Sequence, residues 1–121
     1  MENTLLKITD SEWPALLDAM SAATDHHEIL FENDRVRVLD SRLASGDQTP
    51  LHTHRWPGVL YIIGTSDFVR YDSEGNVIFD SRKSDRNIES GTAVWAEPLA
   101  PHFVKNVGVG ELRVIAIEIK D

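Results

Sequence analysis

The chain has 121 residues, 41% hydrophobic and 26% charged, the scale of one globular domain with its own core. Its net charge is −8 and its Lys and Arg are scattered, which argues against a nucleic-acid surface. Without cysteine there are no disulfides, thiol nucleophiles or thiolate ligands, and neither a leader peptide nor a membrane-length apolar run is present, so the expected location is the cytoplasm.

Trp13, Leu16, Leu17 and Met20 recur at helical spacing and predict an amphipathic helix. Asp10 or Ser11 would cap it, Pro14 fits its first turn, and Thr24-Asp25 would end it. Residues 1–27 are therefore read as an N-terminal helical segment and 28–121 as a β domain. His26 and His27 lie between Asp25 and Glu28. Neighbours on a strand face opposite ways and cannot chelate one ion together, so both are read as solvent-exposed.

The period then changes to two. Val36, Val38 and Asp40 alternate with Arg35, Arg37 and Leu39, as in a half-buried strand. Ser45-Gly46-Asp47 is turn chemistry. Pro50 and Pro57 bracket His52-Thr53-His54 and push Thr49 and Trp56 toward extended backbone. Val59–Ile63 is apolar on both faces. Ser73–Asn76 joins Phe68–Asp72 to Val77–Asp80 as a hairpin, and the polar stretch Ser81–Ser90 reads as a loop. Short strands follow around Val94 and His102, then a turn at Gly108–Gly110 and a last strand from Leu112 to Ile119, again apolar on both faces. A sandwich wets its outer faces, so these two strands call for covers. The N-terminal helix would supply one through Trp13 and Leu17, and a second copy in a homodimer the other.

Imidazoles two residues apart share a face only on extended backbone. His52 and His54 therefore point together, and His102 from a distant strand makes a three-nitrogen set with open positions, suited to one divalent transition metal. Burying three unpaired imidazoles in an apolar interior would cost several kcal/mol, which weighs against plain core packing. Iron, zinc, nickel and similar ions all suit imidazole. Ligating imidazoles must be deprotonated, so affinity is expected to fall below a pH of about 6.5. Tyr61 and Glu97 are the candidate acid–base residues. Arg42, Arg70 and Glu97 are surface charges or substrate contacts. Trp56, Tyr61, Trp95 and Phe103 pack the core or line the cavity mouth, and Asn106 shapes a turn.

Short strands with glycine turns suggest a barrel or double-sheet jelly roll, and here the residues resemble the cupins. The first cupin motif is a glycine, five residues, His-x-His and then a glutamate; Gly46, His52 and His54 fit it. The second is a glycine, a proline turn, a histidine, three residues and an asparagine; Gly91, Pro98, His102 and Asn106 fit, with one extra residue before the proline. The motif glutamate, the usual fourth ligand, falls at Gly58 or Val59, so the resemblance is to three-histidine cupins. It implies an all-β cupin jelly-roll barrel with one short N-terminal helix. It also implies a metal-dependent enzyme, with oxygenase-like activity on a small anionic or enolisable substrate, in the manner of the dioxygenases among those cupins. A non-catalytic metal or ligand binder, for sensing or storage, and a metal-free structural cupin stay open beside it.

Overall fold

A computed structural model describes residues 13–85 and 88–120. Nine strands follow the N-terminal segment: β1 (His27–Glu32), β2 (Val36–Leu43), β3 (His52–His54), β4 (Gly58–Gly64), β5 (Phe68–Asp72), β6 (Val77–Asp80), β7 (Ala93–Ala96), β8 (Leu99–Asn106) and β9 (Leu112–Ile119). They form two antiparallel sheets, β1-β2-β9-β4-β7 and β3-β8-β5-β6. Leu39, Leu43, Ile62 and Ala116 are buried between them, the double-layer arrangement of a jelly roll.

The expected hairpin of Phe68–Asp72 with Val77–Asp80 is β5–β6. The strands around Val94 and His102 and the last strand are β7, β8 and β9. The continuous amphipathic helix is not formed. A 3-10 turn at Ala15–Leu17 gives way to a four-residue helix, α1 (Ala19–Ala22), and Leu16 is 82% exposed. Asp18 interrupts the run because its carboxylate accepts from the Met20 amide and so caps α1 itself. Asp10 and Ser11 lie outside the described residues. No helix among the described residues is long and apolar enough to cross a membrane.

The inward parity of β2 is also opposite to the one its valines suggest. Arg37, Leu39 and Leu43 are buried, whereas Val36 and Val38 are only partly so. An arginine reads as outward in a sequence, but Arg37 goes inside because two carboxylates meet it there. Asn106 fixes the end of the barrel. Its Nδ2 donates to the carbonyls of Leu43 and Gly110, both at 2.9 Å, and its Oδ1 accepts from Ser66 Oγ and the Gly108 amide. It thus shapes the turn, as expected, and pins it to β2 as well. Apolar side chains stay exposed on β1 (Leu30, Phe31), β4 (Tyr61, Ile63), β7 (Val94, Trp95) and at the end of β9 (Ile119); of these strands, β4 and β9 are the two for which the sequence reading expects covers.

Candidate metal centre

Extended backbone at β3 puts His52 and His54 on one side, but a bulge between them shifts the pairing with β8. His52 stands directly opposite His102, and His54 opposite Leu99. Cross-strand partners share a face, so the His52 and His102 rings meet, with centroids 4.4 Å apart; the His54 ring is 4.9 Å from His52 and 5.6 Å from His102. The three expected histidines are brought together.

A fourth joins them. His27, the first residue of β1, enters from the facing sheet, with its ring 5.1 Å from His52 and 5.2 Å from His54. The reading of His27 as solvent-exposed is therefore wrong: it is buried. The alternation rule itself holds, since His26 turns aside, its Nδ1 3.3 Å from the Arg42 carbonyl. Alternation alone does not say which of two neighbours points inward, and the polar company of Asp25 and Glu28 hides that His27 takes the inner position.

Each of the four rings has its Nδ1 committed to an oxygen. His27 pairs with the Ala23 carbonyl (2.9 Å), His52 with Pro50 (2.8 Å), His102 with Ala100 (2.7 Å), and His54 with Glu118 Oε2 (3.2 Å). A carbonyl only accepts, so the Nδ1 atoms of His27, His52 and His102 donate and their lone pairs reside on Nε2; the ionised carboxylate of Glu118, paired with Arg37, fixes His54 in the same way. That is the tautomer a metal requires, with the outer partners that hold ligating histidines in place. Donor atoms of His27, His52 and His54 all lie within 4.8 Å of one another, so this trio could hold a metal ion; His102, which the motifs put in the set, is not part of the trio and flanks it, its ring against that of His52.

Burial strips the imidazoles of their basicity. It holds His52 and His54 at about 3 and His102 at about 2, against an ordinary 6.5, with the other histidines adding to the effect; His27 is lowered too, mainly by burial. The cluster is neutral across the physiological range. With no cysteine in the chain, the cluster's donor set is all nitrogen, which fits a borderline divalent transition ion.

At Gly58, one of the two positions where the motif glutamate would fall, a side chain is sterically barred. A Cβ at Gly58 would overlap the backbone oxygen of Ile117 on β9, so no carboxylate can be grafted there without moving a strand. A carboxylate is nevertheless present one layer out. Glu118 contacts His54 with one oxygen and accepts from Arg37 Nε at 2.7 Å with the other, and Arg37 forks onto Asp18 at 3.0 and 3.1 Å. Burial pushes the Glu118 carboxyl up, and the Arg37 charge opposes that rise. Asp18, Arg37 and Glu118 were not singled out in the sequence. Only Glu118, the one acid in a largely apolar strand, leaves a visible signal.

The histidines line a cavity of about 1360 Å³ between the sheets. Arg42, Arg70, Trp56, Trp95 and Glu97 also line it. Glu97 is exposed and accepts from Trp95 Nε1 at 2.7 Å, so it stands at the rim. Tyr61 is 44% exposed and does not line the cavity, because its neighbours Leu60 and Ile62 take the inward positions of β4. As a catalytic candidate it is withdrawn. Phe103 stacks on Tyr71, with ring centroids 4.7 Å apart, and is likewise not part of the lining.

Two facing antiparallel sheets with a histidine cluster between them define a small β-barrel of the double-stranded β-helix class. The fold is that of the small cupins. It is similar to a cupin domain from Bordetella pertussis Tohama I, at 24% identity over 78% of this chain and 92% of that one, with a TM-score of 0.63. An RmlC-like cupin family protein from Methanocaldococcus jannaschii, of double-stranded β-helix fold, matches at 17% identity over 78% of each chain, TM-score 0.54. The polyketide cyclase RemF from Streptomyces resistomycificus matches at 16% identity over 95% of this chain and 79% of its own, TM-score 0.54. No protein-family model and no curated protein matches the sequence.

Proposed function

We propose that the protein is a metal-dependent enzyme acting on a small molecule, with His27, His52, His54 and His102 holding one divalent transition ion. The observation that carries this reading is the fourfold commitment of Nδ1 to oxygen acceptors beside a cavity, which leaves four neutral Nε2 donors. Core histidines without a ligand role have no need of a common tautomer. Bound, such an ion would supply positive charge for an oxygen-rich ligand and, if redox-active, a meeting point for an organic substrate and dioxygen.

The chain's own residues do the rest. Glu118 orients His54 and raises its donor strength, while Arg37 and Asp18 hold Glu118. Phe68, Phe79 and Val104 give the cavity apolar walls that displace water from a bound substrate. Glu97 is the one sequence-derived acid–base candidate that lines the cavity, and Trp95 holds it at the rim. No chemistry is thereby assigned to a dedicated base at the imidazoles, and this favours reactions in which the ion itself activates the substrate. Oxygenase-like turnover of a small anionic or enolisable compound is the form we favour.

The test is oxygen uptake by protein purified without a histidine tag and loaded separately with iron(II), nickel or zinc, across β-diketones, thiols and small carboxylates. Uptake with at least one loaded form, absent from the metal-free protein and from His52→Ala, is expected. One equivalent of bound metal with no uptake in any form would move the assignment to a sensor or storage protein.

A further inference from the structure

Arg70, lining the cavity, carries a charge that no described residue answers. It lies on β5, where Arg70 pairs with Val104 and Asp72 with His102, so Arg70 sits one step along the same inner face from His102. Among the described residues its guanidinium makes no salt bridge, and its Nε is sequestered from solvent without a hydrogen-bond partner. The other inward arginine shows what a structural one looks like here: Arg37 is met by both Asp18 and Glu118.

Phe68 and Phe79 lie 6.0 and 5.9 Å from the Arg70 guanidinium carbon, at the outer limit of a cation–π contact, too far to offset the loss of water. An anion lying in the cavity beside Arg70 would answer that charge.

We propose that Arg70 anchors the carboxylate of a small organic acid, holding it in the cavity within reach of the imidazole cluster. A guanidinium presents two parallel N–H donors that match the two oxygens of a carboxylate. The neighbouring Phe68, Phe79 and Val104 suit an organic body better than the hydration shell of inorganic phosphate. The inference deepens the function proposed above and rests on the cavity being its binding site, but the anchor does not need the metal.

The experiment uses metal-free protein and calorimetric titration with acetate, pyruvate and benzoate, with benzamide as the neutral isostere of benzoate and inorganic phosphate as the competing anion. At least one carboxylate is expected to bind, and Arg70→Met to weaken it tenfold or more, with Arg70→Lys intermediate and benzamide indifferent to both changes. The melting temperature of Arg70→Met should equal or exceed that of the wild type, because a charge without a partner is removed. Carboxylate binding unchanged in Arg70→Met, phosphate bound in preference to every carboxylate, or a fall in melting temperature beyond about 5 °C would overturn the proposal. Zinc affinity measured on the same variants keeps the two readings apart. A protein that binds no zinc but shows Arg70-dependent carboxylate binding loses the metal assignment and keeps the anchor; the reverse pattern does the opposite.

Discussion

Replacing His27 by Gln is expected to weaken zinc binding about a hundredfold, as much as replacing His52 or His102. Apparent binding free energies of closed zinc sites run on the order of 10–16 kcal/mol, so one nitrogen of four is worth about 3 kcal/mol. His27 is the informative position because the cupin resemblance does not include it, whereas ring distances of 5.1 and 5.2 Å to His52 and His54 place it in the cluster. A titration against a chromophoric chelator reads the loss directly. If His27→Gln binds zinc as the wild type does while His52→Ala does not, the ligand set is the three histidines of the motifs and His27 is a neighbour. Glu118→Gln gives the graded control. It keeps all four rings and should cost about tenfold to a hundredfold, the usual weight of an outer partner of a ligating histidine.

The second large effect is acid instability of the metal-free protein. In the unfolded chain each histidine titrates near 6.5, whereas burial holds His52 and His54 at about 3 and His102 at about 2 in the folded one. Between these limits the unfolded state binds more protons, so stability is fully present above pH 6.5 and drains away as the pH falls toward 3. Three such groups amount to roughly 5 kcal/mol between pH 7 and pH 5, comparable with the whole stability of a domain this size. Thermal melts followed by circular dichroism should therefore show a steep fall in melting temperature over that interval. His102→Leu, which removes one of the three, should flatten it while abolishing tight metal binding. A melting temperature independent of pH from 7 to 5 would contradict the burial of neutral imidazoles.

The same shifts revise the expectation that metal leaves below a pH of about 6.5. In the folded protein the rings stay neutral far below that, and unfolding sets the lower limit. Metal kept at pH 5 by folded protein is thus compatible with histidine ligation.

Much of this was legible in the sequence, for identifiable reasons. Pro50 and Pro57 fix extended backbone at His52-Thr53-His54, and that alone sets two rings on one face. Glycine turns and period-two stretches gave β4 to β9 nearly in place. The failures share a cause. His27, Arg37 and Tyr61 were each judged by residue type and neighbours, but their directions are decided by parity against a partner strand. A one-residue change of register reverses that parity without altering composition. Arg37 is inside because Asp18 and Glu118, far away in sequence, converge on it, and no local pattern encodes such a meeting. The N-terminal helix forms, but only as the short α1, for a related reason. Asp18 serves better as the cap of α1 and partner of Arg37 than as an exposed helical residue.

X-ray absorption at the metal edge tests the central claim most directly, using protein loaded with one equivalent of zinc in a buffer without imidazole. Four imidazole nitrogens should dominate the nearest shell, at about 2.0–2.1 Å, with the outer-ring scattering that marks histidine. A shell made chiefly of oxygen, or one carrying fewer than three imidazoles, would contradict it.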